Sequence, residues 1–417
     1  MKNRNYFRYA ALGTVIEWYD FALYGFFIPI FAALFFKQLD DSIAIMIGYG
    51  LFAVSYLARP LGAYIFGFIG DKKGRRYALL FSILLMSLTM LTIASLPTQQ
   101  SWGNSAAILL ILLRIIQGIA AGGEGGGSFV YILESCPNKK KGFYGALIWS
   151  FVLIGLLLGS CVIIFFQWSF PTIYFEHSGW RWCYLLGGIL GMIFFLMRFN
   201  MPESVEFSCL QKKPNHQCAI TYTKISHIKD IIMLIGLTAA PAALAYFTFF
   251  YFPHYLEAYF HQIQWHKASI DAYMQGFSIL TMIIFGALSD KFSAYQFLLG
   301  SSLFLLCLIL PLLLGLSHNI SFANIIFVYI TLCLLITSYQ GPLPALMVNL
   351  IPIERRYLTI SLGFNIGFAL FGGLAPFFSE YLIQHTKWLY SPAWYLMFAA
   401  IISLFTLILF KAKLQRI

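Results

Sequence analysis

Twelve apolar runs, each of about 18 residues or more, decide what this chain can fold into. A helix needs about that length to cross a hydrocarbon layer roughly 30 Å thick, and a backbone in lipid must satisfy its hydrogen bonds internally. The runs lie near residues 9–36, 44–70, 77–97, 105–132, 143–168, 182–199, 230–252, 269–290, 295–316, 322–350, 357–384 and 392–411. They predict an all-α polytopic membrane protein with twelve transmembrane helices. With 60% of its residues hydrophobic and 10% charged, the chain does not have water as its main solvent. The first run is too long for a signal-peptide core and no small-residue cleavage site follows it, so the first span is expected to be retained.

A formal charge of +11 could point to nucleic acid, but the placement of the 27 Lys and Arg residues points to a bilayer instead. With the N-terminus placed in the cytoplasm, the outer loops carry only Lys37, Arg181, Lys267 and Lys387. Arg59 and Arg114 fall inside apolar runs, and all the others, Arg198 among them, fall on the inner side. This positive-inside asymmetry predicts an inner (plasma) membrane protein with both termini cytoplasmic and no nucleic-acid partner. The seven cysteines, Cys136, Cys161, Cys183, Cys209, Cys218, Cys307 and Cys333, form neither a disulfide framework nor a metal-ligand spacing. No metal and no cofactor are expected. No Ser/His/Asp constellation appears, and Gly122–Gly127 lacks the Lys-Ser or Lys-Thr of a phosphate loop, so an enzyme is not expected.

Residues 201–229 form the longest polar stretch and read as a cytoplasmic linker between six-helix halves at 1–200 and 230–417. Two internal echoes support that division. Gly67–Arg76 (GFIGDKKGRR) is matched weakly by Gly286–Tyr295 (GALSDKFSAY), and Pro137 with Lys139–Lys141 by Pro352 with Arg355 and Arg356, at offsets of 219 and 215. Parallel repeats of this kind belong to transporters whose halves rock about a central site. Glycines four apart, as at Gly155 and Gly159 or Gly363 and Gly367, let helices approach closely in lipid. The run Gly118–Gly127 is denser than packing alone requires and is compatible with sliding.

A charged side chain in mid-span costs about 2.5 to 3.5 kcal/mol on insertion scales, so it needs a partner or a function. Five stand out: Glu17 and Asp20 in the first span, Arg59 in the second, Arg114 and Glu124 in the fourth. Glu17, Asp20 and Tyr24 share one helical face, and Arg114 begins a stripe with Gln117 and Gly118. A carboxyl group balanced between desolvation and a neighbouring arginine is what loading and releasing protons requires, so Asp20, Glu17 and Glu124 are the candidate proton carriers. Arg114 and Arg59 are candidates for binding a substrate carboxylate or for pairing with these acids. Since all five lie in the first half, the second is expected to shape the substrate site with Tyr246, Phe247, Tyr251, Tyr339 and Gln340.

Gly67–Arg76 matches the loop signature of the major facilitator superfamily, with Lys72 in place of its first arginine. Gly13–Gly25 (GTVIEWYDFALYG), Leu57–Arg76, Arg114–Gly127 (RIIQGIAAGGEGGG), Gly179–Gly188, Met201–Phe207 (MPESVEF) and Asn349–Pro376 resemble, in order, the metabolite:proton symporter family within it. That family includes proline/betaine, citrate, 2-oxoglutarate and shikimate transporters. The resemblance implies a major facilitator fold and a cytoplasmic latch made by Asp71, Gly74 and Arg75. The second-half loop lacks the glycine and arginines after Asp290, and the fifth span lacks the proline of the drug:proton antiporter signature.

The expected function is therefore proton-coupled uptake of a small organic solute by alternating access, by a protein working as a monomer in the bilayer. An amino acid or betaine-like zwitterion is the first expectation. The alternatives are a di- or tricarboxylate:proton symporter, or an uncoupled facilitator or exporter of the same fold.

Overall fold

A computed structural model of the chain describes residues 4–211, 224–260, 267–318 and 321–414. Lys2, Lys212, Lys213, Cys218 and Arg416, which enter the charge and cysteine reading above, lie outside the described residues. Among the described residues there is no strand, and twelve helices are long and apolar enough to cross a membrane. The odd-numbered spans are Ala11–Phe35, Arg75–Ala94, Asn138–Ser169, His227–Tyr259, Ala294–Leu316 and Ile353–Thr386. The even-numbered ones are Ile43–Lys72, Asn104–Ser135, Thr172–Phe199, Ala272–Ser289, Phe322–Leu350 and Pro392–Leu409. Each expected span is present, with ends shifted by a few residues.

Several spans are not continuous α-helices. The sixth, seventh and eleventh contain π-helical segments at Phe175–Gly179, Phe247–Tyr251 and Phe368–Gly373. The tenth divides at Gly341 and Pro342 into Phe322–Gln340 and Leu343–Leu350. Such irregularities in a spanning helix survive only where neighbouring protein satisfies the loosened backbone groups.

The helices group into two units, Met1–Ser135 with Phe151–Lys213, and Cys136–Ser150 with Pro214–Ile417. These differ from the halves expected at 1–200 and 230–417 in two places. The start of the linker joins the first unit because Met201 and Phe207 are buried there and Tyr131 donates to the carbonyl of Pro202 at 2.8 Å. Residues 136–150 join the second because Asp290 accepts the amides of Gly142 and Phe143 at 2.7 and 2.9 Å, and Trp149 packs on Phe364 and Phe368.

In the first unit the second and fourth spans pack backbone to backbone. A Cβ on Gly118 would lie 2.1 Å from the carbonyl oxygen of Ser55, one on Gly122 2.1 Å from that of Arg59, and one on Gly62 1.9 Å from that of Ile119. This seam brings Arg59 and Arg114 into the interior. Both are buried, as are Glu17, Asp20 and Glu124.

Candidate functional site

The mid-span charges Glu17, Asp20, Arg59, Arg114 and Glu124, together with Arg198, fall into three separate ion pairs. In the first, Asp20 Oδ2 lies 3.0 Å from Arg114 Nη1. Gln117 locks the geometry from both sides, donating through Nε2 to Asp20 Oδ1 at 2.8 Å and accepting from Arg114 Nη1 at 2.7 Å. The guanidinium carbon sits 3.8 Å above the ring of Tyr24, whose hydroxyl donates to the carbonyl of Gly48 at 3.0 Å. Arg114 carries five N–H donors, yet its buried Nε and Nη2 have no hydrogen-bond partner among the described residues.

The second pair joins Glu17 Oε1 to Arg59 Nη2 at 3.0 Å. Arg59 is enclosed by aromatic faces, with Tyr56 and Phe21 4.5 and 4.6 Å from its guanidinium carbon and Trp18 at 5.8 Å. Glu17 Oε2 is buried and accepts no hydrogen bond among the described residues. An arginine held by π faces keeps its charge balanced even when its carboxylate changes state.

Glu124 belongs to neither. Its partner is Arg198, 2.5 Å away through Nη2 and 2.8 Å through Nη1, and Ser82 and Ser128 each donate to the carboxylate at 2.9 Å. Arg198 also donates to the carbonyls of Tyr9 and Leu79 and is fully buried. It is therefore not the interfacial anchor expected of a basic residue at a span end, because Glu124 turns it inward.

The residues expected to form a latch lie in one network. Arg75 meets Glu134 with two parallel bonds at 3.1 and 3.0 Å, Asp71 at 3.1 Å and the carbonyl of Gly70 at 2.8 Å. Glu203 accepts the backbone amides of Arg75 and Ser204 at 3.0 and 2.8 Å, satisfying the start of the third span. Burial pushes the Glu203 carboxyl above the usual carboxylate range, against the pull of those amides and of Arg75. Gly74 has φ 120°, and a Cβ there would lie 2.1 Å from Glu203 Oε2, so both backbone and space require glycine. Glu134 and Glu203 escaped the sequence reading because both sit at span ends, where a carboxylate ordinarily faces water.

The second unit holds the remaining expected residues without gathering them at one point. Gln340 donates to the carbonyl of Pro241 at 3.3 Å, and Tyr339 to that of Leu237 at 2.8 Å. Tyr246 stacks on Phe250 and meets Phe368 edge-on, while Phe247 is buried beside Tyr251. Tyr251 donates to Glu380 at 2.8 Å. Glu380, which is only partly covered, adds a carboxylate near the end of the eleventh span, in a half whose spans were expected to offer mainly uncharged polar groups. Asp290 is likewise engaged at the start of the fifth span although its loop lacks the glycine and arginines of the signature, and burial raises its carboxyl against the two amides it accepts.

Residues 8–225 match the family model for sugar (and other) transporters. The chain is 29% identical to the glycine betaine/proline/ectoine/pipecolic acid transporter of Dickeya dadantii, over 95% of this chain and 81% of that protein. It is 30% identical to a putative proline/betaine transporter of Staphylococcus aureus, over 94% and 84% of the two. Among solved structures it is similar to the proton:xylose symporter XylE with a TM-score of 0.78 and 15% identity, over 98% of this chain and 95% of that one.

Proposed function

Because this chain belongs to the sugar (and other) transporter family of the major facilitator superfamily, we propose that it drives uptake of a betaine- or proline-like zwitterion with protons, through the pair Asp20 and Arg114. Proline/betaine transporters among its relatives supply the solute class. The observation that carries the coupling is the half-used guanidinium. Arg114 spends Nη1 on Asp20 and Gln117 and leaves buried Nε and Nη2 open.

A buried arginine needs a negative partner, and two candidates can supply one in turn. With Asp20 ionised, Arg114 is neutralised within the protein. When Asp20 takes a proton, the guanidinium is left to a solute carboxylate, which Nε and Nη2 can hold with two parallel bonds. Solute binding and Asp20 protonation then favour each other. Arg114 then has one carboxylate partner in both the loaded and the empty carrier, which can complete the alternating-access cycle, whereas a carrier holding only one of the two ligands leaves the guanidinium with none or with two. Glu17 with Arg59 is the second group that can take part, since Glu17 Oε2 has no donor among the described residues and Arg59 keeps its aromatic enclosure. We assign Glu124 a lesser share because Arg198, Ser82 and Ser128 already hold it. Asp71, Gly74 and Arg75 act as the inner latch, with both chain ends in the cytoplasm. A di- or tricarboxylate would call for surplus positive charge, whereas each span arginine here has its own carboxylate.

The test is uptake of labelled glycine betaine and proline into proteoliposomes with and without an inward proton gradient. The wild type is expected to accumulate one of them, and a protonophore to abolish the accumulation. Asp20→Asn should lose uphill uptake by at least about a hundredfold, the cost of about 2.7 kcal/mol expected when a coupled charge is removed. Normal accumulation by that variant would remove Asp20 from the mechanism, and gradient-independent equilibration by the wild type would make the protein a facilitator.

A further inference from the structure

Glu380 is the one intramembrane carboxylate of the second unit that sits in a nest of aromatic side chains, and among the described residues no Lys, Arg or His lies within ion-pair distance of it. Its three ligands are neutral. Tyr251 donates to Oε2, and Tyr259 and Gln384 donate to Oε1, each at 2.8 Å. The tyrosines come from the π-helical segment Phe247–Tyr251 and from the helix Phe252–Tyr259, the carboxylate from the helix Ala375–Thr386. Tyr255 stands between them, its ring 6.0 Å from that of Tyr251 and 5.7 Å from that of Tyr259. His254 lies 6.1 Å from the Tyr251 ring. Tyr251 and Tyr255 are buried, while Glu380 and Tyr259 are only partly covered, so the carboxylate has an open side.

Glu380 lies near the end of its span and is held there by neutral donors only. A carboxylate without an ion pair among the described residues, with tyrosine rings beside it and His254 as the nearby titratable group, is the chemistry that binds an organic ammonium ion, which is attracted by the negative faces of the rings and by the anion together. The three hydrogen bonds hold the carboxylate in place and leave acceptor capacity on Oε2.

We propose that Glu380, with Tyr251 and Tyr259, is a binding site for the quaternary or secondary ammonium end of the solute, at the end of the seventh and eleventh spans remote from Arg355. The assignment rests on the zwitterion reading above and extends it. Glu380 provides selectivity for the cationic end of the solute. The site predicts discrimination by charge, with solutes lacking a cationic centre gaining nothing from it.

The probe that isolates this site is tetramethylammonium, which has no carboxylate for Arg114. Calorimetric titration onto the purified full-length protein should give saturable binding. Glu380→Gln, which keeps an acceptor for the tyrosines, should weaken it about tenfold, and Tyr259→Ala several-fold. Glu380→Asp, which keeps the charge, should retain part of the affinity. Equal affinity in the wild type and a folded Glu380→Gln protein, or no saturable binding by the wild type, would overturn the proposal. Uptake separates the two readings. If the wild type accumulates glycine betaine under a proton gradient while Glu380→Gln leaves tetramethylammonium binding unchanged, the site fails and the transport reading stands. If tetramethylammonium binding depends on Glu380 but no zwitterion is accumulated, the transport reading fails and the ammonium site stands.

Discussion

Arg198 and Glu124 make the same kind of bond as Arg114 and Asp20 but are built for the opposite task. Every oxygen of Glu124 is occupied, and Arg198 bridges three segments of backbone and side chain. A pair saturated in this way has nothing left for a solute and serves to fasten helices. Removing one member leaves an uncompensated buried charge, at a cost of about 3 to 5 kcal/mol, whereas replacing both with apolar or neutral groups costs much less. Arg198→Met should therefore lower the melting temperature of the purified protein sharply, and Arg198→Met with Glu124→Gln should recover a large part of the loss. An additive pair of losses would mean that the two residues are not coupled. Glu17, Asp20, Arg59 and Arg114 were legible from sequence because mid-span charge is expensive wherever it occurs. Arg198 was not, since a basic side chain at a span end usually reaches for the interface, and only the position of Glu124 on another helix reverses its direction.

At the scale of elements, hydropathy located all twelve spans because length and apolarity suffice for that purpose. It ended the seventh near residue 252, where Pro253 and His254 interrupt the run. In the structure Pro253 opens the helix Phe252–Tyr259, a position at which its missing N–H is no loss, so the span continues and carries Tyr255 and Tyr259 to Glu380. The start of the third span is a second case. Gly74 at φ 120° and the Glu203 carboxylate together form its cap, and the partners are separated by four spans in sequence. Burial raises the Glu203 carboxyl, so the folded protein holds that proton more tightly than the unfolded chain does. Its contribution to stability is therefore complete below the unfolded carboxylate value and declines as pH rises through the raised value. Glu203→Gln should flatten this slope. The melting-temperature difference between variant and wild type should shift in favour of the variant on going from acidic to neutral pH. A difference that does not change with pH would mean that Glu203 ionises as freely in the folded protein as in the unfolded chain.

For the whole molecule, the sequence echoes at offsets of 219 and 215 anticipated two units, because repeats preserve loop chemistry after helices have diverged. They could not anticipate that residues 136–150 cluster with the second unit, since that follows from Asp290 accepting two amides nearly 150 positions away. Orientation is the remaining global property, and it decides which end of each span meets the outside solution. The basic residues crowd the loops that include Lys72 to Arg76 and Lys139 to Lys141, which predicts a cytoplasmic position for those loops and for Cys209 in the helix Val205–Gln211. Cys209 is exposed and so can report its side directly. In a variant keeping only this cysteine, a membrane-impermeant maleimide should label inside-out vesicles and leave intact cells unlabelled. That result would also place Tyr259 and Glu380, at the far ends of spans that begin in the cytoplasm, toward the outer solution, where a site for the cationic end of an incoming solute has to be. Labelling of intact cells would invert the topology and turn the same site toward the cytoplasm, where it would serve release or export.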